Sequence, residues 1–275
     1  MAADSNRVRR SVIAGSWYPG DPKRLRAMIA AFLDKVPPQL QRGELMGLIV
    51  PHAGYVYSGQ VAAYAYAQVR PQAFSRVVVV SPVHRIYPGR FAVTDKAHYE
   101  TPLGLVPVDA DLLQAVERHV TLEHVSRDQE HSLEIQLPFL QHVLGDFTLT
   151  PIMMGEQDWE SSDTLGRALA IASGKQKLLL VASTDLSHFH RYEAAVQLDQ
   201  VVLDRISAYD PKGLARDLST HKAEACGGGP VMAVMIAAKE LGANHAVVLK
   251  YENSGDVTGD RSSVVGYAAA ALLRS

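Results

Sequence analysis

Three short, mainly apolar runs constrain this chain most: GLIV (47–50), RVVVVSP (76–82) and KLLLVAS (177–183), with FTLTPIMM (147–154) as a further strand. Each is too short for a stable helix and rich in residues that suit strands. A strand with one wet face alternates apolar and polar residues, whereas unbroken runs belong to strands covered on both faces. Longer segments with helical spacing lie between and after them. KRLRAMIAAFLDKV (23–36) is stopped by Pro37 and Pro38. GQVAAYAYAQV (59–69), ADLLQAVERHV (110–120), DTLGRALAIAS (163–173), YEAAVQLDQVVLDRISAYD (192–210) and GGPVMAVMIAAKELG (228–242) read as helices. DQEHSLEIQLPFLQHVLG (128–145) does too, with Pro138 expected to kink or split it. RFAVTD (90–95), LVPVD (105–109), HAVVLKYE (245–252) and SVVGYAAAAL (263–272) predict further strands.

This alternation predicts an α/β fold, a three-layer α/β/α sandwich around a mostly parallel or mixed sheet. Mixed pairing is expected because some connections hold no helix. No repeat or Gly/Ser linker interrupts the 275 residues, so one domain over 1–275 is expected. The formal net charge of −2 offers no electrostatic footprint for nucleic acid or an anionic membrane. No segment approaches the roughly 20 apolar residues that span a bilayer. The opening MAADSNRVRRSVIAG lacks the apolar stretch of a secretory leader. With one cysteine, Cys226, no internal disulfide can form, and a reducing, cytoplasmic setting is expected.

Three of the buried runs end the same way. GLIV leads into Pro51-His52, RVVVV into Ser81-Pro82-Val83-His84, and KLLLVAS into Thr184-Asp185-Leu186-Ser187-His188. Ligands of open α/β sheets sit outside the carboxyl ends of the strands. If the strands are neighbours, three imidazoles can converge there. One histidine alone would read as a surface or capping residue, but the repetition on three strands points to a joint site. Neutral imidazole is the commonest protein ligand for metals. Two imidazoles, a third donor and open positions suit non-haem iron or catalytic zinc. Gly54 and Gly59 would let the His52 loop turn tightly.

Asp185 either orients an imidazole or caps a helix. His188, three residues on, is a ligand or a general base, and the two would share a crevice if the loop enters a helical turn. Cys226, in EACGGGPVMAVM, precedes a helix, where the dipole favours thiolate; a lone cysteine is otherwise a small buried apolar residue. DQEHSLEIQ supplies Glu130, His131 and Glu134, with His131 a possible contact of the site. YENSGD supplies Asn253, Ser254 and Asp256, either lining the crevice or forming an ordinary turn. Tyr55 and Tyr57 complete the candidate pocket. His98, His119, His124, His142, His190, His221 and His245 read as solvated or structural.

Taken together, AGSWYP (14–19), PHAGYVYSG (51–59), SPVH (81–84), EHSLEIQLPFL (130–140), STDLSH (183–188), ACGGGP (225–230) and YENSGD with SVVGYAAAAL resemble the Memo family, including the prokaryotic members called AmmeMemoRadiSam system protein B. The resemblance spans almost the whole chain. It implies a fold similar to the class III extradiol-type non-haem iron dioxygenases. It further implies that His52, His84 and Cys226 are metal ligands, with Asp185 and His188 beside them as catalytic residues. The dioxygenases hold Fe(II) with two histidines and a carboxylate; here the resemblance puts a softer thiolate in the carboxylate's place. Iron is the implied cofactor, with copper or zinc as alternatives. The implied partners are an AMMECR1-like protein and a radical-SAM protein, and this chain's single cysteine cannot itself carry an iron–sulfur cluster.

Fold does not transmit activity. The expected function is a metal-dependent oxidoreductase. Two alternatives stay open: a zinc metallohydrolase working through metal-bound water, and a non-catalytic peptide-binding or scaffold protein using the same cleft. A metal-free cysteine hydrolase would leave the histidines without a role.

Overall fold

The computed structural model describes residues 7–38, 41–69, 74–85 and 89–275. Residues 1–6, part of the opening stretch without a leader signature, lie outside it. The strands, numbered along the chain, are β1 (Val8–Arg9), β2 (Glu44–Val50), β3 (Arg76–Pro82), β4 (Phe91–Thr94), β5 (His98–Thr101), β6 (Gly104–Pro107), β7 (Glu123–Val125), β8 (Thr148–Met154), β9 (Leu179–Ser183), β10 (His188–His190), β11 (His245–Asn253) and β12 (Val264–Arg274). The helices are α1 (Pro22–Asp34), α2 (Tyr55–Ala67), α3 (Ala110–Glu117), α4 (His131–Glu134), α5 (Leu137–Leu144), α6 (Trp159–Ser173), α7 (Tyr192–Ser207), α8 (Pro211–Ser219), α9 (Gly228–Glu240) and α10 (Ser254–Thr258).

The large sheet runs β10-β12-β2-β9-β3-β8-β4-β7, with β11 also paired to β12, and a small sheet runs β1-β5-β6. Its centre, β2-β9-β3-β8, is parallel. The edges are mixed: β12 is antiparallel to β2, β11 to β12, and β4 to β8. The architecture is a three-layer α/β/α sandwich around a mixed sheet.

Alternate residues of the same strands feed two cores. Leu48, Val50, Val77, Val79, Leu179 and Val181 pack with residues of α1, α2 and α5. Ile49, Val78, Val80, Leu180 and Ala182 pack with residues of α3, α6 and α9. Both faces are dry, which is why the runs are continuous. Each buried aliphatic side chain contributes about 1.5–3 kcal/mol relative to exposure.

Two elements differ from expectation, while Pro138 splits its segment, one of its two expected outcomes. It sits in the first turn of α5, where a missing N–H costs nothing, so the segment splits into α4 and α5. Helix α2 starts at Tyr55, whose N–H is taken by Trp17 O at 2.9 Å, rather than at Gly59. Gly59 serves helix packing: a Cβ there would lie 2.5 Å from the Phe32 ring of α1. Helix α8 was not anticipated, although Asp210 caps it at Gly213 N (2.8 Å) and Pro211 opens it. Among the described residues no helix is long and apolar enough to cross a membrane.

Candidate metal centre

The strands β2, β9 and β3 are adjacent and parallel, with Ile49 and Val80 both in register with Ala182. Their carboxyl ends therefore release His52, Asp185 and His84 at one edge of the sheet. His131, from the first turn of α4, joins them. Ring centroids are 5.2 Å apart for His52–His84, 5.6 Å for His52–His131 and 4.7 Å for His84–His131. One ligand atom from each of the three lies within 4.8 Å of the others, close enough to share a metal ion.

The hydrogen bonds fix the tautomers. Ser183 Oγ donates to Ser132 O (2.6 Å) and accepts from Gln136 Nε2 (2.8 Å). Its proton is committed, so the 3.0 Å contact with His52 Nδ1 has the imidazole N–H as donor. The lone pair of His52 is then on Nε2. Carboxylate and carbonyl oxygens can only accept. His84 Nδ1 therefore donates to Glu130 Oε1 (3.1 Å), and His188 Nδ1 donates to Leu186 O (2.8 Å). In the neutral form each of these three imidazoles thus has its lone pair on Nε2, the atom left to face a metal. His131 Nδ1 also approaches Glu130 Oε1 at 2.9 Å, as a charge contact outside hydrogen-bond geometry. Its ring lies 4.3 Å from that of Trp17.

Burial, reinforced by neighbouring His84 and His131, pushes the proton affinity of His52 well down, so it stays neutral. Burial alone would favour the acid form of Glu130. Its contacts with His131 and His84 outweigh that and hold the carboxyl far below the usual range. Asp185 goes the other way. Burial pushes it up to about 6, against the His52 N–H it accepts at 2.7 Å and the nearby His188.

Cys226 Sγ lies 3.1 Å from His52 Nε2, and Asp185 N donates to it at 3.3 Å. Its loop is stitched to the end of β9: Cys226 N donates to Asp185 O (3.2 Å) and Gly227 N to Thr184 Oγ1 (2.9 Å). Gly227 is required there, since a Cβ would fall 2.2 Å from Ser183 O. The helix dipole does not make Cys226 a thiolate in the metal-free protein. Burial, then the charge of Asp185, push its pKa up strongly, so it is a thiol whose S–H can point at His52.

A family model described as Memo-like protein matches residues 9–271. The chain belongs to the Memo family. It is 36% identical to the MEMO1 family protein of Methanothermobacter thermautotrophicus, over 95% of this chain and 99% of that one. It is 36% identical to that of Nitrosopumilus maritimus over 95% and 98%, and 35% identical to that of Pyrobaculum arsenaticum over 96% and 98%. The crystal structure of an uncharacterized protein from Escherichia coli K12 superposes with a TM-score of 0.53 at 14% identity, covering 82% of this chain and 99% of that one, a likeness of fold alone.

In this Memo chain, His52 lies beside His84, Asp185 and Cys226, but among the described residues the group whose ligand atoms all lie within 4.8 Å is His52, His84 and His131, without the expected Cys226; His188 borders Cys226 in a shared recess. The expected helical turn between Asp185 and His188 is absent; an irregular stretch leads directly into β10. His131 is more central than its sequence context suggested. Tyr55 is buried, gives its hydroxyl to Ile135 O (2.9 Å) and packs on Phe139, so it supports the site from beneath. Tyr57 is exposed. Asn253 spends its side chain capping α10, accepting from Gly255 N at 2.9 Å, while Asp256 accepts from Asn253 N. Sequence reasoning missed Ser183, Gln136 and Trp17. All three stood in quoted motifs, Trp17 in AGSWYP, Gln136 in EHSLEIQLPFL and Ser183 in STDLSH, but none was read as part of the site.

Proposed function

We propose that this Memo protein is a metal-dependent redox protein in which His52 and His84, with a third donor, hold a transition metal, iron first among candidates. The supporting observation is the paired tautomer. Both imidazoles give Nδ1–H to protein acceptors, so that Nε2 is the ring nitrogen each leaves for a metal. Cys226 and His131 are the two possible third donors. With thiolate the set is soft and suits iron or copper; with three histidines it equally suits catalytic zinc. Iron held by such a set supplies one-electron chemistry and open coordination positions.

The chain's own residues handle protons. Asp185, with a pKa near 6, can hold or release a proton beside His52. His188, fixed through Leu186 O, presents a basic Nε2. Cys226 must release its proton to ligate, so metal uptake should strengthen with pH. A reducing compartment suits this unpaired thiol.

Metal analysis of protein purified without oxygen tests the reading, with His52→Ala and Cys226→Ser alongside. Iron or copper near one per chain, lost in His52→Ala, supports it. Retention in Cys226→Ser would name His131 as the third donor. Zinc would move the reading to hydrolysis. No metal as purified and none on reconstitution would overturn it in favour of a binding cleft.

A further inference from the structure

We infer that Glu130 is the positioning residue of this centre, one carboxylate that fixes the His84 imidazole and ties the His84 segment to the start of α4, which carries His131. The inference rests on the metal reading above for its purpose, but its geometry stands independently. Glu130 is 4% exposed. Its Oε1 accepts from His84 Nδ1 (3.1 Å), His131 N (2.9 Å) and Ser132 N (3.2 Å), and its Oε2 accepts from His84 N (2.6 Å). Four donors thus converge on one group, from two segments 46 residues apart in sequence.

A helix cap explains only part of this. Capping α4 needs one oxygen, and the His131 and Ser132 N–H groups use Oε1 alone. The second oxygen and the imidazole bond hook the His84 loop to α4. Only an ionised carboxylate can satisfy the set, because it is acceptor-only with about four lone-pair sites. A glutamine would turn an NH2 toward one of the donors. Glu130 is itself clamped. Asp128 Oδ1 accepts its N–H at 2.8 Å and Arg9 Nη2 donates to its carbonyl at 2.5 Å. Asp128 and Arg9 thus hold the Glu130 backbone in place, and its carboxylate holds the one imidazole of His84. Partners of this kind typically change metal affinity by about 10–100-fold when removed.

The test compares wild type, Glu130→Gln and Glu130→Asp in two measurements. Co(II) and Zn(II) affinities are read by competition with a chromophoric chelator. Imidazole nitrogen shifts of the metal-free protein are read by NMR. In wild type His84 should show a single Nδ1–H tautomer. In Glu130→Gln that tautomer should mix, and affinity should fall about 10–100-fold at unchanged stoichiometry. Glu130→Asp keeps the charge and the α4 cap on a shorter arm. It should lose affinity for want of reach to His84 while keeping its thermal midpoint, which separates positioning from folding. In a His84→Ala background Glu130→Gln should cost less affinity than in wild type. Wild-type affinity and an unmixed His84 tautomer in both variants would overturn the inference. If wild type binds neither metal, the metal reading falls, and the tautomer alone decides the role of Glu130.

Discussion

Glu130 and Glu134 stand at the two ends of α4, both buried, yet they belong to different machines. Glu134 faces the N-terminal segment. It pairs with Arg9 and accepts from Ser11 Oγ (2.5 Å), Tyr18 OH (2.6 Å) and Val12 N (3.0 Å). Arg9 also meets Asp128 at 3.3 Å and lies 5.3 Å from the Tyr99 ring centroid. The donors there are a guanidinium, a serine hydroxyl, a phenol and backbone amides, with no imidazole among them. Glu130 faces His84 and His131. The contrast shows that burial of a carboxylate does not by itself mark function. What marks it is partners that keep a free lone pair.

The largest effect should fall on the structural end. Glu134→Ala strands a buried guanidinium with only part of its counter-charge, which costs about 3–5 kcal/mol. Chemical denaturation would measure it. Metal affinity of the folded fraction should fall far less than in Glu130→Gln, because Arg9 touches Glu130 only at its backbone carbonyl. A comparable loss of affinity would break the comparison, because the Arg9 cluster would then belong to the metal site.

Asp185 sharpens the comparison from the other side, as a buried carboxylate without a cationic partner. Its folded pKa of about 6 lies above the ordinary aspartate value of 3.8. The fold therefore favours the protonated form, and this contribution is full below pH 4 and lost as pH rises through 6. A gap of about two units corresponds to about 3 kcal/mol at neutral pH. Asp185→Asn keeps an oxygen for His52 N–H and removes the ionisation. In chelator-treated protein it should match wild type near pH 4 and exceed its stability by up to about 3 kcal/mol by pH 7. A pH-independent difference would show that Asp185 does not titrate in this range. Stability gained by removing a buried charge is the expected signature of a site kept for function rather than folding.

How much of this was legible in the chain follows from range. The apolar runs report burial of both strand faces, a local property, so the layers and the central strands could be read directly. The strand-end histidines were legible because strand order needed only adjacency, and β2, β9 and β3 are adjacent. His131 was underweighted because its approach depends on α4 docking against the end of β3, where Ser132 Oγ donates to Pro82 O at 2.8 Å. The tautomer of His52 depends on Ser183, Ser132 and Gln136 together, and no local pattern encodes that chain. The thiol state of Cys226 was misjudged because the dipole is a local signal, whereas the opposing burial and Asp185 come from β9.

Phe189 gives the smallest expected effect and the most local test. It is 76% exposed, with φ of 63°, a region that bulky side chains rarely adopt. Its neighbours pin it there: His188 bonds Leu186 O, and His190 Nε2 contacts Glu224 Oε2 at 2.8 Å. Holding a bulky residue left-handed costs about 1–2 kcal/mol, and a ring this exposed recovers little of it by burial. Asparagine tolerates this backbone, so Phe189→Asn should raise stability by up to about 1 kcal/mol, seen as a small rise in thermal midpoint. The ring would then be an aromatic group kept at a stability cost beside His188, its centroid 5.7 Å from that imidazole. A fall in midpoint would show instead that the ring packs in solution, and Phe189 would join Glu134 among the residues that serve the fold.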